Sequence, residues 1–530
     1  MARLRFFSVL VLFSLASLAR ADEKSLTTLV DSSLQEGWKR EKLTPSAKSS
    51  DGEFLRRIYI DLVGVIPSFE ETEAFLKDTD SNKRTKWIDK LIADERFSRQ
   101  QADFWDLVLF GRNPQNGEAT RKRDGFKKWL TDQFAKNQPL DQISKRLLLA
   151  EEEGSELFHV QYRNQPEEAT VAVTRIFLGL QLQCARCHDH PFEAWTQKDF
   201  YGMAGFFVRV VVVDGGGTPM MKKFKVGEKS VGEVLFTGAV KDQKPGQKGE
   251  PVRPRFLGGD ELVEPAPPKD AKKEDLKDNK LPAKPAFSRK EKIAEWVTAS
   301  TNPYFARALA NRIWSQYMGR GFVHPVDDLG GKNAPSHPQL LDALTKHLVD
   351  TKFDVKSIVR AIVNSDAYQL SSIGPNKNAL PEWYERARVR PMSAEELWAS
   401  FKVATQTSSE SMKTVGEPTE YLVRFFGEPT DGLGNFQGSL AEHLFLNNAT
   451  HLRQLAQARK GNLGDVLSTM KGTPEEKVNR LFLSMLNRSP SDSERVRFME
   501  HLNGDAKMAP VLLEEAIWSL MCCSEFRFNH

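Results

Sequence analysis

From Ser25 to Phe207 the apolar residues recur at three- and four-residue intervals, the period of one helix face. This patterning restricts the first part of the chain to helix-on-helix packing. Phe54, Ile58 and Leu62 repeat until Gly64 and Pro67 stop that helix. Ser68 with Glu71 is a capping box opening a helix through Phe75 and Leu76. Trp87, Ile88, Leu91 and Ile92 form another stripe, as do Phe126, Trp129, Leu130 and Phe134. Phe104, Trp105, Phe110 and Trp129 could wall a pocket, but aromatic residues at this spacing are core. Pro166-Glu167-Glu168 opens a further helix, with proline in the first turn and acids at the positive end of the dipole. Val173, Ile176, Phe177 and Leu180 give it a buried face that is expected to run into Cys184. A short helix is expected from Thr196 to Phe207.

The composition changes between residues 208 and 287. Val210 to Val213 is a β-branched run, Gly215-Gly216-Gly217 reads as a turn, and Val234 to Val240 is a second strand candidate. The glycines lack the lysine of a P-loop and the spacing of a dinucleotide turn, so they predict a hairpin or loop. Beyond Lys241 the chain fills with Lys and Pro, including Pro265, Pro267, Pro268, Pro282 and Pro285, and reads as an extended linker.

Helical pattern resumes at Ser288, which pairs with Glu291 as a second capping box before Ile293, Trp296 and Val297. Asn302-Pro303 starts a helix with Phe305, Leu309, Ile313 and Tyr317 on one face, ended by Gly319 and Gly321. Ser336 is expected to cap the helix carrying Leu340, Leu341, Leu344 and Leu348, and Ile358, Ile362 and Val363 mark another. The tail repeats the pattern through Leu481, Met485 and Leu486, then Leu513, Ile517 and Leu520. The expected fold is mainly α: a helical domain over 22–207, a β-hairpin insert and Pro/Lys-rich linker over 208–287, and a second helical domain over 288–530.

Arg3 and Arg5 precede an apolar run from Phe6 to Ala19 that ends in Ala19-Arg20-Ala21, the pattern of a cleavable secretory signal over residues 1–21. The run is shorter than the roughly 20 residues that span a bilayer, and no later segment is long and apolar enough. The mature chain is expected to be secreted or periplasmic. A net charge of +4 is small for 530 residues and gives no electrostatic reason to bind nucleic acid.

Cys184-Ala185-Arg186-Cys187-His188-Asp189-His190 gathers two of the four cysteines and two of the ten histidines. Cys-x-x-Cys-His is the attachment signature of c-type haem: two thiols that can add to porphyrin vinyl groups, and a histidine that can ligate the iron. Cys184, Cys187 and His188 are the candidate haem-binding residues. Thiolate and imidazole equally suit zinc or iron, held by Cys184, Cys187 and His188 or His190 with Asp189 or a remote residue completing the shell, and a remote ligand is expected because tetrahedral zinc takes ligands from separated segments. A short disulfide between Cys184 and Cys187 is the structural alternative. Cys522 and Cys523 are adjacent, which makes a bridge between them awkward, and they read as small buried residues.

Several longer motifs resemble exported planctomycete proteins that join a cytochrome-like, Cys-x-x-Cys-His-containing domain of unknown function (fifteen-forty-nine) to a C-terminal domain of unknown function (fifteen-fifty-three). The first domain is similar through Arg56-Arg57-Ile58-Tyr59-Ile60-Asp61-Leu62, Phe104-Trp105-Asp106-Leu107, Cys184 to Phe192, and Gln197-Lys198-Asp199-Phe200-Tyr201. The second is similar through Asn302-Pro303-Tyr304-Phe305-Ala306-Arg307, Asn311-Arg312-Ile313-Trp314, Gly319-Arg320-Gly321, Asp327-Asp328-Leu329-Gly330 and Pro335-Ser336-His337-Pro338. The resemblance implies work near extracellular polysaccharide breakdown or surface redox chemistry, with an unidentified redox or surface partner.

A haem on His188 would need an apolar pocket for most of the macrocycle and an open face or a second axial ligand, for which Met203, Met220, Met221, His159, His324 and His337 are the candidates. Asp327, Asp328 and His337 could supply acid and base groups to an enzyme. Beside glycine and proline, however, such residues also make turns and helix caps, and Arg307, Asn311 and Arg312 could tie helices together.

Overall fold

The computed structural model describes residues 23–112, 115–120, 122–218, 221–236, 249–266, 280–408, 422, 426 and 440–530. The expected signal segment, Met220, Pro267, Pro268 and the end of the second strand candidate, 237–240, lie outside them. The described chain is mainly helical with three small two-stranded sheets. Among the described residues, no helix is long and apolar enough to cross a membrane.

Two compact units form, and neither is contiguous. The first gathers the described residues up to Gln100 with Gln316–Gly319 and Arg360–His530; the second gathers Gln101–Ser315 with Arg320–Val359. These units follow different lines from the segments read at 207 and 288, because motifs are local in sequence whereas core packing joins distant segments.

In the first unit the helix Asp51–Val63 is buried nearly all round and carries two adjacent arginines into the interior. Arg56 is fully buried; it donates to the Met485 carbonyl at 3.3 Å, Asn487 Oδ1 at 3.0 Å and the Phe526 carbonyl at 2.7 Å. Arg57 donates to the carbonyls of Tyr368 (2.6 Å), Leu370 (2.8 Å) and His530 (3.1 Å) and to Glu53 (2.9 Å). Around Arg56 the helices Ala394–Ala404, Leu463–Thr469, Pro474–Met485 and Ala509–Cys522 close a core of Leu397, Phe401, Leu455, Leu481, Phe482 and Ile517. The expected Ser68–Glu71 capping box is made in both directions, at 2.9 and 3.2 Å.

In the second unit the helices Leu140–Leu149 and Arg289–Thr298 pack together beside an antiparallel hairpin of Val210–Thr218 and Met221–Glu228. Gly215–Gly217 are not the turn: they lie inside the first strand, beside a bulge between Asp214 and Gly216. A strand tolerates such glycines where the ladder is irregular. Val234–Phe236 pairs instead with Glu250–Val252.

Residues 249–266 are bound into this unit and are not a free linker. Phe256 stacks between Phe206 and Trp296, with centroids 4.9 and 5.3 Å away, and Glu264 clamps Arg289 at 2.6 Å. A single aromatic ring and one carboxylate offset the proline-rich composition. The Ser288–Glu291 box is half made: the Glu291 amide donates to Ser288 Oγ at 3.0 Å, while Glu228 accepts from Ser288 Oγ and from the amides of Arg289 and Lys290. A remote carboxylate thus covers the amides that open this helix. Ser336 is not the cap of the Pro338–Asp350 helix either: His337 occupies that position, Ser336 Oγ meets the His337 ring, and the Ser336 amide donates to the Phe322 carbonyl.

Truncating Arg56 leaves two buried carbonyls and the Asn487 side chain short of a donor. Arg56→Ala is expected to lower stability by about 3 kcal/mol or more in urea unfolding. The exposed Arg40, which pairs with Glu41 and lies 5.4 Å from the centre of the Trp383 ring, is expected to change it by less than about 1 kcal/mol when replaced by Ala.

Candidate functional site

The candidate motif does not continue the helix before it. Pro166–Leu178 ends at Gly179, whose φ of +66° is left-handed, and the Leu180 amide returns to the Thr174 carbonyl at 3.0 Å. The Leu329 amide donates to the Gly179 carbonyl at 2.7 Å, and a Cβ on Gly179 would lie 2.4 Å from Leu329 Cδ1. Glycine is therefore required here on two counts, and the Asp327-Asp328-Leu329-Gly330 motif docks on the turn it makes.

After the turn, Leu182–Arg186 forms a short 3-10 helix. Leu182 and Ala185 face inward and are fully buried, while Cys184 and Cys187 are exposed free thiols. The Arg186 side chain pairs with Glu168 at 2.7 Å, and its carbonyl accepts from Gln197 Nε2 at 3.2 Å and Tyr201 Oη at 3.1 Å. Asp189 Oδ1 accepts the Gln197 amide at 2.9 Å, at the start of the Gln197–Ala204 helix. Gln197, Tyr201 and Glu168 hold the loop. The first two stand in a motif already read from the sequence, but nothing in their spacing assigns them this task.

The two histidines of the motif have opposite proton arrangements. His188 Nδ1 lies 2.7 Å from the Asp189 carbonyl, which can only accept. The Nδ1 atom therefore carries the hydrogen, and in the neutral ring Nε2 holds a lone pair on an exposed side chain. His190 Nδ1 faces the amides of Glu193 at 3.0 Å and Phe192 at 3.3 Å, which can only donate. Its lone pair is committed to the loop, and its Nε2 carries the hydrogen. Ligation by His190 Nε2 would require loss of that proton or of the two amide bonds. Among the described residues, no three His, Cys, Asp or Glu side chains gather as a metal-ligand set.

The other candidate ligands are placed as follows. Met203 is fully buried within its helix. His159 is buried with Nε2 on the Leu148 carbonyl at 2.8 Å, and burial pushes its pKa down to about 4. His337 bonds Ser336 Oγ at 3.0 Å and lies against Phe322, with centroids 6.1 Å apart. Asp327 lies 3.8 Å from Arg175. The Asp328 carboxyl is raised by partial burial, with Asp327 and Glu193 adding to the shift and a 2.6 Å bond from Asn333 opposing it.

Asn311 bonds the Val323 amide and the Val323 and Val326 carbonyls, and Arg307 pairs with Asp342, so both tie segments together. The buried Arg312 is pushed down to about 10 by loss of solvent, with Asp327 opposing the shift. Cys522 and Cys523 are partly buried free thiols, and burial pushes Cys522 up to about 12.

Residues 29–211 match the family PSCyt2, a protein of unknown function (DUF1549), and residues 289–423 match PSD1, a protein of unknown function (DUF1553). The chain belongs to the proteins that join these two domains. The Cys184–His190 loop falls inside the PSCyt2 match, and Asp327–Gly330 falls inside the PSD1 match. The Gly179–Leu329 bond therefore joins the two matched segments within one compact unit. Neither the curated proteins nor the solved structures include a match to this chain.

His159 gives a pH test of this unit. An unfolded histidine titrates near 6.5, whereas the folded one resists protonation until about pH 4. The folded state therefore loses stability as pH falls through that window, by up to about 3 kcal/mol, and regains it above pH 6.5. Urea unfolding as a function of pH measures the slope, and His159→Gln is expected to flatten it.

Proposed function

We propose that this chain is an exported redox protein in which Cys184 and Cys187 would hold a c-type haem and His188 Nε2 would be the histidine nitrogen available to its iron. The observation that carries the reading is the His188 Nδ1 contact with the Asp189 carbonyl, which fixes the ring in the tautomer a metal ligand needs. Two exposed free thiols stand in the same loop, on a base anchored by Leu182 and Ala185. Each thioether would form by addition of S–H across a vinyl group, with no leaving group. When bound, haem supplies one-electron transfer. The chain's own contribution is to hold the thiols at a fixed spacing and to set the ring's proton on Nδ1.

The exposure of all three residues supports a second reading, a zinc or iron ion bound at the surface through the same atoms and completed by solvent or a partner. His190 serves both readings as the loop's closure, its Nδ1 accepting from the loop amides and its own amide donating to the Trp195 carbonyl at 2.8 Å.

Protein exported by a host able to attach haem is expected to show a Soret band that survives acid extraction. Cys184→Ser with Cys187→Ser is expected to abolish it, and His188→Ala to keep the covalent haem but shift its spectrum. His190→Asn retains an acceptor for the loop amides and is expected to leave the spectrum unchanged. Stoichiometric zinc or iron without a Soret band would replace the haem reading by the metal one, and colourless, metal-free protein would overturn both.

A further inference from the structure

His188 and Asp189 are both exposed, so the 2.7 Å contact between His188 Nδ1 and the Asp189 carbonyl is open to water. Water offers the ring acceptors of its own, and a neutral histidine free in water prefers its hydrogen on Nε2. The contact keeps the hydrogen on Nδ1 only where the carbonyl is held in place to receive it, because an unsupported hydrogen bond gains little over the bond to water that it replaces. Another group must therefore hold the Asp189 carbonyl.

The Gln197–Ala204 helix supplies that group. Thr196 is its N-cap, so Gln197 is its first residue and the Gln197 amide has no partner inside the helix. That amide donates instead to Asp189 Oδ1 at 2.9 Å, where the positive end of the helix dipole also favours a carboxylate. The helix end is itself fixed by a capping box: the Asp199 amide donates to Thr196 Oγ at 3.3 Å and the Thr196 amide to Asp199 Oδ2 at 2.8 Å. The Arg186 carbonyl accepts from Gln197 Nε2 at 3.2 Å and Tyr201 Oη at 3.1 Å. Residues 186 and 189 are thus tied to one helix, and Cys187 and His188 lie between the two ties.

We propose that Asp189 is a positioning residue: its carboxylate, gripped by the Gln197 amide, fixes the Asp189 carbonyl that holds the His188 hydrogen on Nδ1 and leaves the Nε2 lone pair open. Side chain and carbonyl belong to the same residue, so anchoring Oδ1 restricts the peptide that carries the acceptor. The purpose of the arrangement rests on the haem reading, in which Nε2 meets the iron. The arrangement itself is measurable without haem.

Histidine nitrogen NMR of the full chain tests it, with the protein haem-free, its thiols kept reduced and the ring neutral. Wild-type His188 is expected to show a protonated Nδ1 and a lone pair on Nε2. Asp189→Ala keeps the carbonyl but loses the grip, and is expected to lower the ratio of the Nδ1–H to the Nε2–H form by about fivefold, the worth of one hydrogen bond. Asp189→Asn keeps the acceptor and is expected to restore most of the ratio. Gln197→Pro removes the amide hydrogen at the helix position that proline favours, after a Thr196 already extended at φ −95° and ψ 165°. It is expected to act as Asp189→Ala does, with helix content unchanged by circular dichroism. Gln197→Leu keeps the amide and leaves the Arg186 carbonyl to Tyr201, and is expected to match the wild type. A wild-type ring protonated on Nε2, or an unchanged ratio in Asp189→Ala or in Gln197→Pro, would overturn the proposal, and a lowered ratio in Gln197→Leu would overturn the part given to the Gln197 amide. Protein that meets these expectations yet takes up no haem in an attaching host would end the haem reading and leave the role of Asp189 standing.

Discussion

A guanidinium taken out of water must find its hydrogen bonds inside the protein, and Arg56 and Arg57 do so on carbonyls supplied by segments more than 300 residues further along the chain. That requirement draws Tyr368, Leu370, Met485, Phe526 and His530 around a single helix, Asp51–Val63, and closes the first unit. The apolar core beside it, in which Phe401 stacks on Phe526 at 4.9 Å, supplies burial without direction. The arginines supply the direction, because carbonyl positions are fixed by backbone geometry. Asp61, on the same helix, extends the rule to Arg390, Tyr368 and Asn529.

The same accounting separates His188 from His190. Carbonyls only accept and amides only donate, so one contact on each ring decides where its proton sits. His188 emerges with its outward nitrogen available, while His190 spends its acceptor on two amides of its own loop. Composition gives both residues equal standing as ligands; backbone polarity does not. Exposed thiols and an open imidazole on a tethered loop are what covalent attachment of a cofactor requires.

Much of the helical framework was legible because it depends on local signals. Gly64 ends its helix, Ser68 and Glu71 cap each other, and Pro166 opens the helix that leads to the site, all from residues within one turn. Departures arise where a distant residue takes over a local role. Glu228 covers the helix opening assigned to Glu291, Phe256 and Glu264 bind a segment that composition marks as linker, and Leu329 docks on Gly179 where a continuous helix was expected. The cysteine motif itself could be read directly, since its spacing is its signal. The residues that hold it, Glu168, Gln197 and Tyr201, could not, because their partners include a backbone carbonyl whose place only the fold defines.

The central claim is that Cys184 and Cys187 carry a covalently bound porphyrin beside an open His188 nitrogen. The intact mass of the chain matured in an exporting, haem-attaching host tests it most directly. The account predicts the mass of one haem added to the processed chain, located by peptide mapping to the Cys184–Cys187 segment. An unmodified mass, or one lower by the two hydrogens of a disulfide, would contradict it.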